Sequence, residues 1–185
     1  GLSDYYVPAV KGAIFSALPD VNVVDITHNI EPFDVRSAAF IVKNCYKNFP
    51  EGTIHILAID TEESVDNPHV VVKVNGHYFV GTDNHIFSLI IDQDPYEAVI
   101  IDVMQDTDFF TFSTRDRFVK VAVMLYKNAS LEEIGTPYIL YIGCVCYSTT
   151  IFCDFDALAP CTFTTYAPDA TPLKTKLVSS VSNTF

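Results

Sequence analysis

VNVVDITHNIEPFDVRSAAFIVKNCYKNFPEGTIHILAID (Val21–Asp60) contains a strand, a helix and a second strand in forty residues. Val21 to Ile26 is a β-branched run, the composition of a strand buried in a sheet. Asp34 stands where a helix N-cap belongs. Val35, Ala38, Ala39, Val42, Cys45 and Tyr46 then recur three and four residues apart, which gathers them on one helical stripe. Pro50 and Gly52 end that helix, and Thr53 to Ile59 is a second buried strand leading into Asp60.

The same alternation continues on both sides. Upstream, Val7 to Leu18 suits a helix, with Pro8 tolerated in its first turn and Asp4 near its positive end. Downstream, Val70–Val74 and Tyr78–Val80 read as a hairpin across Asn75-Gly76, and Ala98–Val103 as a further strand. TRDRF (Thr114–Phe118) opens a helix with Phe118, Val121, Ala122 and Leu125 on one face, and Ser130 with Glu133 forms a capping box for a short final helix. The expected fold is α/β: a layered domain over residues 1–135, with a largely parallel central sheet flanked by helices.

The two ends look different. GLSDYY reads as the middle of a loop, so a first strand is expected upstream of residue 1. From Thr136 onward there are five charged residues, four of the five Cys and thirteen Ser or Thr. Residues 136–185 are therefore expected to be a short, atypical, mostly-β tail, either a remnant C-terminal β domain or the product of an altered reading frame.

Composition narrows the function classes. With 185 residues, 49% of them hydrophobic, the chain can bury one substantial core. A net charge of -12 with only 11 Lys and Arg argues against nucleic acid or an anionic membrane surface as partner and fits a cationic ligand better. No apolar run approaches the ~20 residues that span a bilayer, and the first residues are not a signal peptide, so a cytoplasmic location is expected. Cys144 and Cys146 lie one residue apart with no His beyond His85, a spacing that suits small buried, reduced thiols rather than zinc.

Three polar clusters sit at the ends of apolar elements: Asp60, the TDNH turn (Thr82–His85) and TFSTRDRF (Thr111–Phe118). Enzymes of the α/β class collect site residues in this way from segments distant in sequence. Taken with GLSDYYVPAVKGAIFSALPDVNVVDITHNIEPFDVRSAAFIV, FPEGTIHILAID, HYFVGTDNHIFSLI and SLEEIG, they resemble the S-adenosylmethionine hydroxide adenosyltransferases, adenosine-forming hydrolases related to the fluorinase and chlorinase. The resemblance implies a homotrimer that takes S-adenosylmethionine as substrate, with no metal and no separate cofactor. It also implies substitution at ribose C5′, with methionine leaving and water attacking. A C-terminal β-barrel-like domain with an FGN and TN signature accompanies this pattern in the family, and no such signature follows residue 135.

The resemblance also assigns residues. Asp4 matches a contact to the methionine ammonium, or else serves as a helix N-terminal charge; Phe33 matches an aromatic pocket wall that is Trp in the halogenases. Asp25 and His28 of DITHNI are typical of the family and read best as turn-satisfying groups. Asp60 corresponds to the carboxylate of a water-binding Asp, Arg and His triad, whose Arg is here Asn67 and whose His is Ser113. Thr114 falls where the fluorinase holds halide with a Ser. Asn67, Ser113 and Thr114 can orient a nucleophile, but none is a base at neutral pH.

Asp83, Asn84 and Arg115 are the remaining substrate-binding candidates, although Arg115 with Asp116 also suits an ion pair at a helix start. His69 shares an extended face with Asn67 and is a candidate to compensate for the missing groups, the alternative being an exposed strand histidine. His85 replaces the Gly of a DNG turn, at a position that would favour positive φ. Three functions follow: hydrolysis of S-adenosylmethionine, a catalytically degenerate binding or oligomer-forming relative, or a halogenase, which the negative charge of Asp60 disfavours.

Overall fold

Ile54 and Ile56 of strand β2 (Ile54–Ala58) face one side of the sheet, whereas Leu57 and, just beyond the strand, Ile59 face the other. All are fully buried, each worth about 1.5–3 kcal/mol by removal from water. The computed structural model describes residues 4–92, 94–104 and 112–140, and the backbone of 177–182. On the Ile54 side lie Val10 and Ile14 of α1 (Tyr6–Ala17), Val121 and Leu125 of α4 (Val119–Tyr126), and Leu131 and Ile134 of α5 (Leu131–Ile134). On the Leu57 side lie Ala38, Ala39 and Val42 of α2 (Val35–Cys45) and Ile86, Phe87 and Ile90 of α3 (Ile86–Ile90). The result is a three-layer α/β/α arrangement.

The sheet has seven strands, in the order β1 (Asn22–Thr27), β7 (Leu177–Ser182), β2, β4 (His77–Thr82), β3 (His69–Val74), β5 (Tyr96–Ile101) and β6 (Gly135–Pro137). The first four run parallel; β3, β5 and β6 add antiparallel pairs. The sheet is thus mixed, and the cause is visible in the chain. Asn75 (φ 50°) and Gly76 (φ 76°) form a tight turn, and a two-residue connection can only join antiparallel neighbours. Residues 177–182 of the tail lie inside the main sheet, between β1 and β2 and parallel to both. Cys144 and Cys146 fall outside the described residues.

Two local expectations change. Val21–Ile26 is not a buried strand: among the described residues β1 is the sheet edge, and Val24 is 38% exposed there. TRDRF does not begin as an α-helix. Thr114–Phe118 is a π-turn in which Val119 N bonds to Thr114 O, five residues back, before α4 takes over. The helix-start signals at Asp34 and Ser130 hold. Asp34 accepts from Ser37 N (3.0 Å) at the start of α2, and the Ser130–Glu133 capping box opens α5. The glycine of SLEEIG is a steric requirement, because a Cβ on Gly135 would stand 1.6 Å from Ile100 O across the β5–β6 pair. Among the described residues no helix is long and apolar enough to cross a membrane.

Candidate functional site

Asp60 sits just past the carboxyl end of β2 with φ 48°, a left-handed conformation that costs an L-residue energy and persists only when neighbours enforce it. The enforcing group is Asn84, beyond the end of β4. Its Nδ2 donates to Ile59 O (2.9 Å) and Asp60 O (3.2 Å), while its Oδ1 accepts from Ile86 N (3.3 Å). Both amide hydrogens are thereby engaged, so Asn84 holds the Asp60 backbone and has none left to donate elsewhere. Burial pushes the Asp60 carboxyl above its usual range, and the charge of Glu62 adds to this.

The loop from Thr61 to Pro68 is fastened to the TDNH turn. Asp83 N donates to Pro68 O (2.9 Å), and Asn67, with its amide oriented to satisfy both ends, donates to Asp83 O (3.1 Å) and Asp66 O (3.2 Å). Asn67 therefore closes its own loop. The Asp83 carboxylate accepts from the Tyr138 hydroxyl (3.1 Å), whose pKa rises to about 12 through burial and the charge of Asp83. His85 takes φ 73° and so keeps the left-handed turn that a Gly would adopt without strain.

His69 is fully buried, which removes the exposed-strand reading. Its Nε2 lies 2.9 Å from Thr61 O and its Nδ1 lies 3.0 Å from Nη1 of Arg117, which also donates to Glu63 Oε1 (2.7 Å). Burial lowers the His69 pKa, so with both nitrogens engaged it is a neutral structural ring and not a compensating base. Arg117 did not emerge as a site residue from the sequence. Its only signal was its place in TFSTRDRF, directly after the Arg-Asp pair.

A second group forms where α1 meets the π-turn. Asp4 Oδ1 accepts from Tyr6 N (2.9 Å), the helix-start role open to it. The Tyr6 ring meets Phe112 edge-on at 4.8 Å, and the Arg115 guanidinium lies over Phe112 at 4.7 Å. Arg115 grips Asp116 with Nε to Oδ1 (2.5 Å) and Nη2 to Oδ2 (3.0 Å), the ion pair expected at this helix start. Ser113 and Thr114 are 2% and 7% exposed. Phe33, at φ 65° on the turn before α2, is 60% exposed. Asp25 accepts from Lys11 (2.6 Å) and lies 3.2 Å from His28 Nε2, a tie between β1 and α1. Hydrogen bonds thus bring Asp60, Asn67, Asp83 and Asn84 together, with His69 and Arg117 joined to them through the loop. Arg115 meets Tyr6 through the Phe112 ring, and Asp4 bonds the Tyr6 backbone.

A family model described as the SAM hydroxide adenosyltransferase N-terminal domain matches residues 1–135. The (R)-S-adenosyl-L-methionine hydrolase of Methanocaldococcus jannaschii is 28% identical over 145 residues, covering 72% of this chain and 55% of the hydrolase. A fluorinase of Nocardia brasiliensis is 41% identical over 162 residues, covering 73% of this chain and 54% of the fluorinase. The crystal structure of an uncharacterized conserved protein from Thermotoga maritima superposes with a TM-score of 0.70 at 29% identity, over 75% of this chain and 55% of that one. The chain spans about half the length of these relatives. From the match over residues 1–135, the chain belongs to the SAM hydroxide adenosyltransferase family.

Proposed function

We propose that this chain takes part in hydrolysis of S-adenosylmethionine to adenosine and methionine. Water attacks ribose C5′, the C5′–S bond breaks with its electron pair passing to sulfur, and the water proton passes to the Asp60 carboxylate. The sulfonium is already a good leaving group, so the protein's task is to desolvate and align the water, and a nearby carboxylate suits both the proton and the cationic substrate. One observation carries the reading: Asp60 is a part-buried carboxylate in a strained backbone at a strand end, with its pKa raised towards the range useful for a base. Asp4, Phe33, Asp83 and Arg115 are the proposed substrate contacts, with Ser113 and Thr114 orienting the water. A homotrimer is proposed from the same family membership.

A degenerate, non-catalytic relative is the second reading. It is favoured by Asn67, whose amide is engaged with backbone carbonyls, and by the burial of Ser113 and Thr114. Incubation with the (R) and (S) sulfonium epimers, followed by chromatography for adenosine and methionine, separates the two. Adenosine above the Asp60→Ala background supports hydrolysis; its absence with both epimers supports the non-catalytic relative. Added chloride yielding a chlorinated nucleoside would point to halogenase chemistry instead.

A further inference from the structure

Asn84 fixes the Asp60 carbonyl, and a left-handed L-residue persists only where its surroundings over-determine it. A further restraint, on the Thr61 carbonyl one residue along, comes from His69. The acceptor at its Nε2 is a carbonyl, so Nε2 must carry the proton; Nδ1 is then a lone pair, which Arg117 Nη1 fills at 3.0 Å. A single protonation arrangement satisfies both nitrogens of the His69 ring. The same Nη1 reaches Glu63 Oε1, so one guanidinium ties the loop at Glu63 directly and at Thr61 through the imidazole. Phe118 packs edge-on against the His69 ring at 4.8 Å and limits its rotation. Arg117 Nε stays buried without a partner among the described residues, a penalty that an ion pair serving only surface stability would not carry.

We propose that Arg117 and His69 are positioning residues for Asp60: they clamp the Thr61 carbonyl and Glu63 to the π-turn and so fix the direction in which the Asp60 carboxylate points. This rests on the hydrolytic reading above, but the clamp itself is tested separately. In the full chain, Arg117→Ala is expected to lower kcat for adenosine formation about tenfold or more with KM little changed, because misaligning the base leaves substrate binding intact. Added guanidinium should restore part of the loss, and Arg117→Lys should retain more activity than Arg117→Ala. An unchanged kcat, or a loss that tracks the folded fraction and that guanidinium does not repair, would overturn the proposal.

If the wild-type chain forms no adenosine, the hydrolytic reading fails and the clamp is judged by NMR. His69 should show the Nε2–H tautomer, and amide exchange at Thr61, Glu62 and Glu63 should quicken in Arg117→Ala. A Nδ1–H tautomer, or exchange identical in the two proteins, would reject it.

Discussion

Asn84 donates its side-chain amide to the backbone carbonyl of Asp60 at 3.2 Å and to that of Ile59 at 2.9 Å, from a turn twenty-four residues further along the chain. The end of β4 thereby determines the backbone at the end of β2, two strands that pair parallel in the sheet. Asn84→Ala leaves both carbonyls without this donor in a buried setting. The expected cost is about 2 kcal/mol in urea unfolding. Adenosine formation should fall further than the folded fraction does, since Asp60 loses its alignment. A variant as stable as the wild type would show that these bonds contribute nothing.

His85 makes the opposite case. It occupies φ 73° at the start of α3. An L-residue in that region is less stable than Gly by about 1 kcal/mol. His85→Gly is therefore expected to raise the melting temperature by a few degrees. A lower melting temperature would mean that the imidazole contributes more through its contacts than the backbone loses.

How far all this was legible beforehand depended on range. Periodicity and turn chemistry gave α2, β2, the Asn75-Gly76 hairpin and the Ser130–Glu133 box, because each is determined by residues close in sequence. The exposure of β1 was not legible: a β-branched run looks alike at the centre and at the edge of a sheet, and only strand order distinguishes them. Residues 177–182 pair with β1 and β2 across more than a hundred residues, which no local pattern announces. In the site, Asp60 and the TDNH turn stood out as polar groups after apolar strands. Arg117 and the fate of His69 did not, since a guanidinium crossing from a helix to a strand leaves no spacing signal.

His55 and His77 form a buried pair on the other face of the sheet, Nε2 to Nδ1 at 3.3 Å, with His55 stacked on Phe79 and edged by Tyr46 and Phe49. Burial takes the His55 pKa down to about 3, with the neighbouring His77 adding to the effect; burial lowers His77 too, opposed by Glu51. Folded-state values below the unfolded value of about 6.5 mean that the unfolded chain binds more protons in acid. Their contribution is thus intact above pH ~6.5 and lost as pH falls towards 3. Between pH 7.5 and pH 5 the loss from His55 alone is about 2 kcal/mol. His55→Phe, which keeps an aromatic ring against Phe79, should lose correspondingly less over that interval in urea unfolding. Equal losses in the two proteins would remove His55 as the cause.

Asp60→Asn separates function from stability. Burial, assisted by Glu62, raises the folded-state pKa of Asp60 above the unfolded value of about 3.9, so the folded chain prefers the protonated acid. By linkage this stabilisation is complete below pH ~4 and is lost as pH rises through the folded value; at neutral pH the ionised carboxylate is therefore disfavoured by its surroundings. Asparagine carries no charge and tolerates left-handed φ about as well as aspartate. The variant is expected to melt no lower than the wild type at pH 7.5, while adenosine formation drops at least ~100-fold through loss of the base. In the wild type, the acid limb of the rate profile should lie at higher pH than an ordinary carboxylate would give. A variant that melts well below the wild type would make Asp60 a structural residue, and one that retains full turnover would move the base elsewhere.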